Sequence, residues 1–223
     1  MKKRSMLRKR NASTQKGTRK SAFFVSAPRR KAKPLPQKLR YIAFHKPYGV
    51  LSQFTSDAGK RTLAEFGFPA GVYSVGRLDE HSEGLLLLTN YNTLKHDLTD
   101  PQAGHLKTYL AQVERIPTQS ALDNLINGVL LDGKRTRPAA AHLLSTLPEL
   151  PDRPVPIRHR VNVTTAWIEI SISEGKNRQI RRMTAAVGHP TLRLVRIAIA
   201  GLQLDGLRPG EWNVISKSSI LEK

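Results

Sequence analysis

From Tyr41 onward, apolar residues fall in short blocks that recur with a period of about 2 or about 3.6, so the chain mixes strands with helices. Tyr41-Ile42-Ala43-Phe44-His45, followed by Lys46-Pro47-Tyr48-Gly49, predicts a strand that ends in a turn. Val72-Tyr73-Ser74-Val75 predicts a second strand, and the polar, glycine-bounded residues 76–84 predict a loop into Leu85-Leu86-Leu87-Leu88-Thr89. A leucine run that short, with no polar face, reads as a strand buried on both sides.

Asn92 is placed to cap a short helix over residues 93–98, which Pro101 and Gly104 end. Residues 107–113 alternate, putting Tyr109, Ala111 and Val113 on one face of a strand and Thr108, Leu110 and Gln112 on the other. From Thr118, the apolar positions Leu122, Leu125, Ile126 and Val129 repeat at helical spacing; Gly128 closes that helix and Asp132-Gly133 turns into the next strand. Residues 148–160, rich in Pro and Arg, predict an exposed basic connection. Ile168, Ile170 and Ile172 alternate along a half-buried strand, after which Glu174-Gly175 turns into a helix that Asn177 is placed to cap. Ile180, Met183 and Val187 line the inner face of that helix; Gly188 and Pro190 stop it. Two more strands, at residues 192–199 and 212–215, complete an α+β domain around a central mixed, mostly antiparallel sheet flanked by helices. No long internal repeat is present.

Charge changes the picture from fold to partner. With 37 Lys and Arg against 17 Asp and Glu, the formal charge is +20, and a polyanion gains counterion entropy by binding such a chain. Fifteen of those cations lie in residues 1–40, ahead of the first acid, Asp57. That stretch is too polar to bury a core, so residues 1–38 are expected to form a disordered basic arm that contacts RNA, followed by a folded domain over residues 39–218 and a tail at 219–223. The arm lacks an amphipathic period and is interrupted at Pro28, Pro34 and Pro36, which disfavours a mitochondrial transit peptide. No run approaches the roughly 20 apolar residues of a membrane helix, so a soluble, cytoplasmic protein is expected. The chain has no cysteine, which removes thiolate nucleophiles and cysteine-ligated zinc. The seven histidines are scattered singly without metal-ligand spacing, and no phosphate-binding glycine motif occurs.

The distinctive segment runs from Gly76-Arg77-Leu78-Asp79 through Glu80-His81-Ser82-Glu83-Gly84 to Leu85-Leu86-Leu87-Leu88-Thr89-Asn90. A carboxylate in a polar loop strung between two buried strands is held rigidly yet stays reachable, which suits a nucleophile or base. An arbitrary loop aspartate more often caps a turn. This segment, however, resembles the catalytic motif of the pseudouridine synthases, in the subgroup that acts on bacterial ribosomal RNA. Three further blocks resemble the same family in the same order: His45-Lys46-Pro47-Tyr48-Gly49-Val50, Lys107-Thr108-Tyr109, and Glu174-Gly175-Lys176-Asn177-Arg178-Gln179-Ile180-Arg181-Arg182-Met183. The likeness spans residues 40–215, and the polar first forty residues are unlike the small RNA-binding S4 domain of many members.

The resemblance implies isomerisation of a specific uridine to pseudouridine in ribosomal RNA, that of the large subunit, by a monomer that needs neither cofactor nor metal. It implies Asp79 as the catalytic carboxylate, which either attacks sugar or base covalently or removes a ribose proton; the sequence leaves these open. Arg181 matches the arginine that pairs with that aspartate, and Tyr109 the tyrosine that stacks on uracil. Arg77 matches a side chain that fills the space left by the flipped base, and Lys46 either supports the active-site loop or binds RNA. A cleft lined by the loops bearing Asp79, Tyr109 and Arg181 is expected. Two rival readings are a noncatalytic ribosome-assembly protein, which leaves the Asp79 segment unexplained, and an RNA hydrolase using Asp79 with Glu83.

Overall fold

The computed structural model describes residues 38–56, 58–157 and 163–221, so the expected basic arm lies outside the described residues, apart from Lys38. Its strands are β1 (Tyr41–Lys46), β2 (Tyr73–Ser74), β3 (Glu83–Thr89), β4 (Lys107–Glu114), β5 (Leu130–Leu131), β6 (Lys134–Arg135), β7 (Ala140–Leu143), β8 (Thr165–Ile172), β9 (Thr191–Ile199), β10 (Leu202–Gln203) and β11 (Trp212–Val214). The helices are α1 (Asn92–Thr99), α2 (Gln119–Ile126), α3 (Gln179–Ala186) and α4 (Ser218–Leu221). None of them is long and apolar enough to cross a membrane.

The main sheet runs β11-β1-β3-β9-β4-β8-β7, with β2 joined to β3 and β10 to β9, while β5 and β6 form a separate hairpin. Only the β3–β9 pairing is parallel, at Glu83–Val195 and Gly84–Arg196; every other strand pair is antiparallel. The fold is therefore α+β with the mixed, mostly antiparallel sheet that the alternation predicts.

The leucine run is buried on both faces, as its pattern requires. Leu86 and Leu88 enter one core with Tyr109, Ala111, Val113, Ile168, Ile170 and Met183, while Leu85 and Leu87 enter a second with Leu94, Leu98 and Ile199. Each such side chain contributes about 1.5–3 kcal/mol by leaving water. The central strand is thus clamped from two sides, and the loop that feeds it starts from a fixed point.

Several local expectations change. Asn92 is the first residue of α1 rather than its cap: Tyr91 holds the cap position without a side-chain bond, and the Thr89 hydroxyl accepts the Tyr91 N–H. Asn177 does not cap α3 either. Arg178 takes the cap position at φ 48°, and Gln179 satisfies the entry by accepting from the Lys176 N–H and donating to Glu174. The tail expected at 219–223 is in part α4, whose Ile220 is fully buried in the second core and accepts the Gly201 N–H. The strand expected at 72–75 shortens to Tyr73–Ser74. Arg40 and Lys38 are both held by the Asn90 side chain, which fixes where the described chain enters the sheet.

Candidate active site

The loop between β2 and β3 carries Asp79, and backbone groups on both sides of it are held. Leu78 sinks into the first core, and the Ser52 hydroxyl grips it twice, accepting its N–H at 3.0 Å and donating to its carbonyl at 2.8 Å. The Asp79 carbonyl accepts the Ser82 N–H, and the Glu80 carbonyl accepts from both the Gly49 N–H and Lys46 Nζ. Arg181 Nη2 donates to the His81 carbonyl at 2.7 Å. Four consecutive carbonyls, from Leu78 to His81, are therefore pinned, and the Asp79 side chain hangs from a rigid backbone.

Asp79 opens into a cleft of about 610 Å³, within the range of small-molecule sites. Arg77, Tyr109, Lys107, Lys176, Arg178, Ile180 and Arg196 also line it, with Glu80 and Glu174 as the other carboxylates. Glu80 is paired with Lys60 at 2.8 Å, and Glu174 accepts from Gln179, the Arg137 N–H and Lys176. Asp79 alone among these three has no donor on its carboxylate oxygens among the described residues. The cleft thus presents one free carboxylate among five cations.

Tyr109 lies on β4 rather than on a loop, buried against the core and bordering the cleft. Arg77 is exposed at the rim. Two expected residues sit elsewhere. Arg181, on α3, is not part of the lining and makes no ion pair with Asp79; its guanidinium goes behind the loop to the carbonyls of His81 and Thr191. Burial lowers its pKa from the ordinary arginine value, Arg178 adds to this, and the charge of Asp79 opposes it, so the two groups feel each other without touching. Lys46 cannot bind RNA: it is fully buried, and its Nζ donates to the carbonyls of Pro47, Val50 and Glu80. Its place is under the loop, where burial pulls its pKa down to about 7.

Glu83 is also spoken for. Arg193 grips it with Nε at 3.1 Å and Nη2 at 2.9 Å, both partners being buried, so a hydrolytic pair of Asp79 and Glu83 is ruled out by geometry. The same Arg193 Nη2 donates to the Pro151 carbonyl, anchoring the connection that carries Arg153. Arg153 lies 4.2 Å over the Tyr48 ring, whose centroid stacks 5.1 Å from that of His81. The described part of the Pro- and Arg-rich connection, residues 148–157, therefore lies beside the Asp79 loop, with most of its residues exposed.

Sequence reasoning missed Arg196, Lys107, Ser52 and Arg193. The signal for the two arginines was present: a charged residue inside an apolar strand is rarely buried without a role.

The family model described as RNA pseudouridylate synthase matches residues 40–186. The chain belongs to that family. It is 55% identical over 175 residues to the ribosomal large subunit pseudouridine synthase E of Xanthomonas campestris pv. campestris, covering 78% of this chain and 94% of that one. It is 48% identical over 180 residues to the protein of the same name from Vibrio vulnificus, covering 81% of this chain and 76% of that one. Among solved structures, a pseudouridylate synthase crystal structure matches with a TM-score of 0.66 at 28% identity, covering 82% of this chain and 73% of the other. The protein is accordingly an RNA pseudouridine synthase, an isomerase, and its mixed sheet is consistent with the family's fold.

Proposed function

We propose that this pseudouridine synthase isomerises a uridine of large-subunit ribosomal RNA, acting as a cytoplasmic monomer with Asp79 as its catalytic carboxylate. The substrate assignment rests on the names of its relatives. The residue assignment rests on one observation: Asp79 is the cleft carboxylate left without a partner, on a backbone pinned at four consecutive carbonyls.

The reaction breaks the bond between uracil N1 and ribose C1′, turns the base, and joins C1′ to C5. A uridine inside folded RNA must first leave its stack, at a cost of a few kcal/mol. Arg77 at the rim fills the space it vacates, and the exposed Arg178 and the half-buried Arg153 meet phosphates. Tyr109 packs against the uracil. Asp79 then acts at the sugar, either by bonding to C1′ or by accepting a ribose proton, and in both cases its negative charge faces an electron-poor sugar. Arg181 and Lys46 act through the loop, as positioning residues.

The test is tritium release from unmodified ribosomal RNA labelled at uracil C5, with strand length followed in parallel. Release with an intact strand is the expected result. Shortened RNA points to a nuclease, and binding with neither change points to an assembly factor; either overturns the proposal. Asp79→Asn is expected to bind RNA as before and to release no tritium. Turnover by that variant would remove Asp79 from its role.

A further inference from the structure

Arg196 sits on β9 directly across from Tyr109 on β4, with its guanidinium carbon 5.9 Å from the Tyr109 ring centroid. It is only 4% exposed and borders the cleft. Its Nε donates to the Leu85 carbonyl at 2.8 Å, but its Nη2, buried from solvent, has no partner among the described residues. No carboxylate pairs with it there. Three residues earlier on the same strand, Arg193 shows the ordinary way to bury a guanidinium: a bidentate carboxylate and a backbone carbonyl absorb its donors. A desolvated cation with an unused N–H is costly unless something supplies the missing acceptor. The neighbouring cation, Lys107, deepens that deficit rather than relieving it.

We propose that Arg196 is an anion subsite for the detached uracil, donating its free N–H to a uracil oxygen while the base carries negative charge. The inference rests on the isomerase reading above. When the C1′–N1 bond breaks heterolytically, both electrons leave with N1, and the charge spreads over N1, O2 and O4. The sugar keeps the electron deficit, which Asp79 answers by bonding to C1′ or by taking a ribose proton. After the base turns, C5 bonds to C1′ as the bond from Asp79 to C1′ breaks, or as Asp79 returns the proton it took from the ribose; the C5 proton then departs to a general base, N1 takes up a proton, and Asp79 is left as the free carboxylate. Arg196 gains and loses no proton throughout. It stabilises the charge where that charge develops, from a buried place in the wall of the cleft, where one such donor is worth about 100-fold or more in rate. Asp79 and Arg196 thus divide the work, the carboxylate serving the sugar and the guanidinium serving the base.

The experiment compares wild type, Arg196→Gln and Arg196→Lys on two RNAs that differ only in carrying uridine or 5-fluorouridine at the target. Fluorine makes the departing base more acidic and less dependent on an external cation. Single-turnover loss of the original N-glycosidic linkage is read by chromatography of the digested RNA. Arg196→Gln is expected to slow the uridine substrate about 100-fold with RNA affinity within about threefold of wild type. On the fluorinated substrate it should recover at least tenfold of that loss, with Arg196→Lys intermediate. Equal losses on both RNAs, or a loss confined to affinity, would overturn the subsite. Should Arg196→Gln unfold, the lysine variant carries the same comparison. Inactive wild type on both RNAs would instead refute the isomerase reading itself.

Discussion

Arg181 and His81, 100 positions apart in the chain, are joined by a 2.7 Å hydrogen bond from guanidinium to backbone carbonyl. The arginine thereby sets the position of Asp79 through the loop, two residues away from it, instead of gripping the carboxylate. This leaves the carboxylate free for substrate.

Removing that tether is expected to misplace Asp79 without emptying the cleft of cations. Arg181→Ala should lower kcat about 100-fold while KM stays within about threefold, the pattern of a positioning residue. Tritium-release kinetics decide it; a KM effect with unchanged kcat would make Arg181 a direct RNA contact.

Lys46 gives the fold a dependence on pH. Burial lowers its pKa to about 7 from 10.5, so between those values the unfolded chain carries a proton that the native state has lost. Stability must therefore rise with pH across that window, and the burden of the buried charge is fully present below it. Urea unfolding of wild type and Lys46→Met at several pH values is expected to show wild type gaining on the variant from about pH 7 to about pH 10. A constant difference would mean that the ammonium stays charged under the loop.

Glu83 and Arg193 form a buried pair beside the start of β3. Glu83→Ala strands the guanidinium away from water and should cost about 3–5 kcal/mol. Denaturant midpoints at constant slope measure it. A loss below about 1 kcal/mol would show that the pair is screened by solvent.

The cations ahead of Arg40 are expected to contact RNA backbone. Deleting residues 1–38 should weaken affinity for ribosomal RNA and flatten its dependence on salt, since each lost phosphate contact lowers the slope by about 0.7–0.9. Filter binding across a salt series reads this directly, and an unchanged slope would make the arm a bystander.

Much of this was legible in the residues alone. The four leucines announced a strand buried on two faces, and the alternation set Tyr109, Ala111 and Val113 on one face, which the fold turns to the core. Helix entries were less legible, because Asn92 and Asn177 have the right chemistry for caps while Thr89 and Gln179 supplied the bonds from elsewhere. Asp79, Arg77 and Tyr109 border one cleft. Lys46 and Arg181 do not enter the cleft, because only the tertiary fold decides which end of a long cation meets solvent and which meets a carbonyl. Arg196 stands out as a charge within an apolar strand, but its meaning comes only from Tyr109 opposite.

At Gly84 the backbone stands at φ 98°, and a Cβ there would lie 2.2 Å from the Arg196 carbonyl oxygen. The absent methyl is what lets β3 and β9 run side by side where the Asp79 loop ends. Any side chain at this position would act as a wedge, prying the strand that bears the guanidinium away from the loop that bears the carboxylate. The reach between the two halves of the reaction is gauged here by the width of a single hydrogen atom.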